Sequence, residues 1–151
     1  MAVIPGAITS IAILTGSNIV AVDGTTVTVD SEKYDPSNIV SLAANVMTLG
    51  AGKYFFDASW GSNHSAGGIS YWHRMGVRLR NTSDSTTTFT SPSFSQTNYP
   101  NGGDPSDSYC RASGYFAITA SKNYELQFVN FLSTAGTVTL TNLTVTIYLL
   151  P

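Results

Sequence analysis

TLTNLTVTIYLL, residues 139–150, alternates along its length like a β-strand but turns apolar on both faces towards its end. Successive side chains of a strand point to opposite faces, so Leu143, Val145, Ile147 and Leu149 form one row, while Tyr148 and Leu150 join the threonines in the other. A strand packed on one side only keeps its second row polar. Here the second row needs cover of its own, and another copy of the same chain would provide it.

The rest of the chain alternates in the same way. β-Branched and aromatic residues recur with period two, and no window keeps a helical period for the length a helix needs. Strands are expected at 18–22, 25–29, 39–47, 52–60, 71–81, 86–91, 112–120, 124–132 and 139–150, with a short helical turn as the alternative for 41–47. Between them lie turn signals such as Asp23-Gly24, Asp35-Pro36, Gly50-Ala51-Gly52 and Ser121-Lys122-Asn123. About eight strands with short turns predict an all-β, two-sheet jelly-roll sandwich, because one open sheet of this size would leave a face bare. Residues 1–17 carry apolar side chains without clear alternation. They read either as an N-terminal arm ordered by lying on something else or as an added edge strand, which puts the jelly-roll domain at 18–151.

Length and composition fit this picture. A chain of 151 residues is the size of one domain with a real core. Charged residues are only 11%, against roughly 25% in ordinary soluble domains, and Ser, Thr, Asn and Gly fill the gap. An uncharged polar surface suits contact between neighbours better than mutual repulsion in solution. With a net charge of -2 there is no basic field for nucleic acid. The apolar start lacks a positively charged leader and is broken by Pro5, so neither a secretion signal nor a membrane span is expected, and the sequons at Asn63, Asn81 and Asn142 are expected to go unused.

Catalytic chemistry finds no foothold. No elbow motif surrounds a serine near His64, expected in the loop 61–68, or near His73, expected on a core-facing row. The two histidines have no acids at ligand spacing, and Cys110 reads as an inert, semi-buried thiol. No enzyme activity, cofactor or metal is expected.

Two further features are candidate contact sites. The strand 71–81 places Trp72, Arg74, Arg78 and Arg80 on one wet face and Val77 and Leu79 on the other, with cross-strand pairing to Glu125 as the plain use of the arginines. The long irregular stretch 91–111 mixes Asn98, Tyr99, Asn101, Asp104, Asp107 and Tyr109 as adaptable binding loops do. It suits a sugar or a neighbouring subunit, and its acids do not follow an EF-hand pattern.

Several short segments, in order, resemble the family of C1q-like and tumour-necrosis-factor-like jelly rolls, which also occurs in capsid decoration proteins and fibre knobs of bacterial viruses. They are Tyr34-Asp35-Pro36; Leu49-Gly50-Ala51-Gly52-Lys53-Tyr54; Ala112-Ser113-Gly114-Tyr115-Phe116; Tyr124-Glu125-Leu126-Gln127-Phe128; and the closing residues 143–150. The resemblance spans residues 31–151. It implies a homotrimer packed around a threefold axis, with Phe55, Tyr115, Tyr148 and Leu150 at the interface. Unlike the animal members, the chain is expected to carry no collagen stalk, anchor or secretion signal. The expected role is therefore a virion component, a trimeric decoration (cement) protein bridging major capsid subunits of a tailed phage. The alternative is a fibre knob that binds a receptor or host glycan.

Overall fold

A computed structural model describes residues 8–65, 73–95, 108–132 and 137–151. Eleven strands are described: β1 (Ser10–Gly16), β2 (Ile19–Ala21), β3 (Ser31–Tyr34), β4 (Val40–Ala43), β5 (Val46–Leu49), β6 (Gly52–Ser65), β7 (His73–Asn81), β8 (Thr86–Ser95), β9 (Ser108–Ile118), β10 (Lys122–Leu132) and β11 (Thr137–Leu150). They form two antiparallel sheets, the first in the order β3-β1-β11-β6-β9 with β2 also on β11, the second in the order β4-β5-β10-β7-β8. The architecture is a two-sheet jelly roll, as the strand pattern predicted.

Both sheets turn one alternating row into a shared core. From the first sheet come Leu14, Phe56, Trp60, Cys110, Val145 and Ile147, and from the second Met47, Val77, Leu79, Tyr124, Leu126 and Phe128, all at most 1% exposed. Leu149, assigned to the core row, is only partly buried at its rim. Tyr54 completes the rim and donates its phenolic hydroxyl to the Gly50 carbonyl at 3.0 Å, which ties the turn before β6 to the strand it starts. Burial raises that phenol above its ordinary value of 10.0.

Four sequence expectations change. Residues 39–47 are neither one strand nor a helical turn: Ala44 and Asn45 sit at φ 48° and 69° between the paired Ala43 and Val46. Two consecutive left-handed residues make the two-residue hairpin turn whose twist matches the strands, and alanine gives no warning of it. Residues 25–29 form no strand, only a bridge from Thr26 to Gln127. This segment is a crossover: Val27 N–H donates to the Leu126 carbonyl of the second sheet, Asp30 N–H donates to the Thr15 carbonyl of the first, and Val27 and Val29 plug the core between. Strand β6 runs on through the expected loop to Ser65, which places the His64 backbone opposite Val138. The long irregular stretch is shorter than 91–111, because β8 extends to Ser95 and β9 starts at Ser108.

Of the segment 1–17, residues 8–17 are described. Strand β1 lies inside the first sheet, pairing with β11 from Ser10↔Leu149 to Gly16↔Leu143 and with β3 on its other side. Ala12 and Leu14 are fully buried, while Ile11 and Ile13 face outward half-buried. Alternation is present but apolar on both faces, so it has no visible period.

Candidate self-association face

The strands whose second rows carry aromatics are neighbours, β11 pairing with β6 and β6 with β9. Register then sets their outward side chains in a line. Ile11 lies opposite Tyr148, Tyr148 opposite Phe55, and Phe55 opposite Tyr115, so one apolar row crosses four strands. The Phe55 ring is 4.8 Å from Tyr115 and 5.8 Å from Tyr148 between centroids, both tilted, within the range of favourable aromatic pairs. Leu150 lies one row along, opposite Lys53, whose ammonium donates to the Pro151 carbonyl at 3.1 Å. Tyr115 is 68% exposed, an unusual position for a tyrosine ring flanked by other apolar groups. All four residues expected at the interface thus share one face, and Ile11 and Ile13, which strand periodicity did not reveal, extend it.

The face changes character along its length. The next row reads Ile13, Thr146, Asp57 and Ser113. Arg111 reaches diagonally to Asp57 in a two-pronged ion pair, Nε at 2.6 Å and an Nη at 2.8 Å from the two carboxylate oxygens. Planar fork against planar carboxylate fixes the two side chains to each other. The surface is therefore aromatic and apolar at the Tyr148 end and more polar in the next row, apart from Ile13.

Of the arginine strand, Trp72 lies outside the described residues, and Arg74 is described in its backbone, opposite Phe94 and Leu132. Arg80 donates to Glu125 at 3.2 Å, the cross-strand pair expected from the sequence, and Arg78 donates through Nε to the Gln127 side-chain oxygen at 2.7 Å. Of the loop candidates, Asn98, Tyr99, Asn101, Asp104 and Asp107 lie outside the described residues, and Tyr109 is placed in β9 opposite Gly61. Among the described residues no three His, Cys, Asp or Glu side chains gather as metal ligands would.

A cavity of about 240 Å³ opens at the end of the sandwich, lined among others by Asn81, Asp84, Phe116, Ile118, Lys122 and Tyr124. Its polar groups serve the fold. Asp84 accepts from Lys122 at 2.7 Å and from the Asn81 amide at 2.9 Å, and returns its own N–H to Asn81, closing the turn after β7 onto the start of β10. The Lys122 hydrogen bond holds the Asp84 carboxyl below its usual 3.8. A depressed carboxylate contributes stability above its unfolded pKa and loses it as pH falls through the folded one. Lys122→Met should therefore flatten the acid limb of the pH–stability curve, measured by urea unfolding below about pH 5; an unchanged limb would mean that the clasp contributes nothing.

No protein-family model and no curated protein matches the chain. Solved structures do. The globular domain of zebrafish complement 1qA aligns over 93% of this chain and 96% of its own, with a TM-score of 0.60 and 10% identity. Murine APRIL at pH 5.0 aligns over 93% and 98%, with 0.61 and 11%. The Eiger tumour necrosis factor of S. frugiperda aligns over 93% and 92%, with 0.62 and 10%. At such identities the likeness speaks for backbone architecture, and it establishes that this chain has the C1q and tumour-necrosis-factor type of jelly-roll fold.

Proposed function

We propose that the chain is a structural, non-enzymatic subunit that works as a homotrimer, and that the trimer decorates and cements the capsid of a tailed bacteriophage. The observation that carries the self-association is the continuous row Ile11, Tyr148, Phe55, Tyr115, with Leu150 beside it, on the outward face of the first sheet. A face with apolar residues on four adjacent strands is stabilised by removal from water, and aromatic clusters are what association surfaces concentrate. The threefold arrangement is supported by the resemblance of the sequence and by the fold. The low charge and the compact, knob-sized domain support a role in a shell, where a trimer bridging capsid subunits adds contacts that only the assembled particle makes and so stabilises it by mass action.

Tyr148→Lys tests the first step. An ammonium placed in the middle of the apolar row opposes its burial, costing at least about 2 kcal/mol at each contact, as at other hot spots. The native chain should scatter light as three times the 16.0 kDa of one chain at micromolar concentration, and the variant as one. Its far-ultraviolet circular dichroism should be unchanged, because the core row is untouched. A native monomer, or a trimer unaffected by the substitution, would refute the assigned face. Failure of a verified trimer to bind expanded phage shells would refute decoration while leaving self-association standing.

A further inference from the structure

We propose that Arg78 is the centre of an oxyanion-binding site on the outward face of the second sheet, and that its ligand is an acidic polysaccharide held through its carboxylates. The site is on the opposite side of the sandwich from the aromatic row and depends on neither the trimer nor the shell.

The placement of Arg78 is unlike that of a solvated surface arginine. Gln127, only 5% exposed, lies beneath it and accepts from Nε at 2.7 Å. Gln127 is itself held, donating to Glu125 at 2.6 Å; the same Glu125 oxygen accepts from Arg80, and the other accepts from Thr26 at 3.4 Å. The one acid in this network is thus engaged by Arg80, Gln127 and Thr26, and among the described residues no carboxylate pairs with Arg78. A guanidinium has five N–H donors in a rigid fork. Fixing its Nε edge to a buried amide orients the plane and leaves the terminal edge, whose two Nη groups can also meet a carboxylate in two-pronged fashion, for a ligand.

The surroundings select the ligand class. Thr90 lies opposite Arg78 on β8 and Thr87 opposite Arg80, both exposed, so hydroxyls flank the two cations along the strand. Arg78 and Arg80 are two residues apart, roughly 7 Å along a strand, which a linear chain of sugars with repeated carboxylates can follow. Among the residues whose exposure is described, the large exposed apolar ones, Ile8, Val20, Val22, Tyr34 and Tyr115, all belong to the first sheet or the segments beside it. A folded protein partner needs apolar anchors and single-stranded nucleic acid needs aromatic platforms. A hydrated acidic polysaccharide needs neither.

Isothermal titration of the full chain with alginate oligosaccharides at about 0.15 M salt tests the site. Arg78→Lys keeps the charge and loses the fork, and should weaken binding by about tenfold. Gln127→Leu keeps every charge but frees the guanidinium, and should weaken it in the same direction, which a purely electrostatic patch would not show. Lys33→Gln, a charge removed elsewhere, should bind as the native chain does. No heat with alginate, native affinity in Arg78→Lys, or equal affinity for a polyglutamate of matched length would overturn the proposal.

Discussion

Ile147→Lys is expected to abolish the fold. Ile147 is fully buried in β11, paired with Ala12 on one side and Phe56 on the other, so a lysine there has no route to water. Losing the packing of a buried isoleucine costs about 2–5 kcal/mol, and burying an unpaired ammonium adds several more. Together these reach the roughly 5–15 kcal/mol by which a domain of this kind is stable. Loss of the cooperative thermal transition and of near-ultraviolet dichroism would be the result. A folded variant would mean that the two faces of the strand have been exchanged, since Tyr148, the next residue, is the position where the same substitution should spare the fold.

Gly16→Ala should be nearly as damaging, for a reason that hydrophobicity does not reveal. A Cβ on Gly16 would stand 1.8 Å from the Thr28 carbonyl oxygen and 2.9 Å from its carbon, and 2.9 Å from a Leu143 methyl. The first two are backbone atoms of the crossover, so no rotamer change relieves the contact. Either β1 or the crossover must move, taking Leu14 or Val27 and Val29 out of the core. A loss of about 4 kcal/mol or more in urea unfolding is expected, in the class of severe overpacking. Gly50→Ala is the control: a Cβ added there would meet nothing within 4 Å and its φ is not left-handed, so it should unfold with the native midpoint. Equal effects at the two positions would show that general glycine flexibility, and not the close approach, sets the cost.

The candidate face shows how far local pattern reaches. Tyr148 and Leu150 were legible as outward positions because alternation within one strand needs no knowledge of its neighbours, and Phe55 and Tyr115 joined them through the resemblance. That Phe55, Tyr115 and Tyr148 line up, with Leu150 beside them, depended on register, and register was visible only once β11, β6 and β9 were paired. Ile11 was missed because a strand apolar on both faces hides its own period. Gln127 was missed for a different reason: an outward polar residue counts as solvated until Thr26, Arg78 and Glu125 close over it.

Strand β11 itself marks the boundary. Leu143, Val145 and Ile147 face the core with odd parity, yet Val138 and Leu140, with even parity, are buried too. Asn142, at φ 52° within a register shift against β6, absorbs the extra residue and returns both halves to the same face. From the sequence alone came the all-β class, the core rows and the second apolar row, since these follow from side-chain period and burial of apolar surface, which are properties of each segment. Tertiary structure alone decided the bulge at Asn142, the left-handed turn at Ala44 and Asn45, the seat of β1 between β11 and β3, and the crossover against Gly16. The turn is local and its φ values are set by the pairing of the strands it joins; each of the others is a contact between backbones far apart in the chain, and the energy that selects it belongs to the pair and not to either segment.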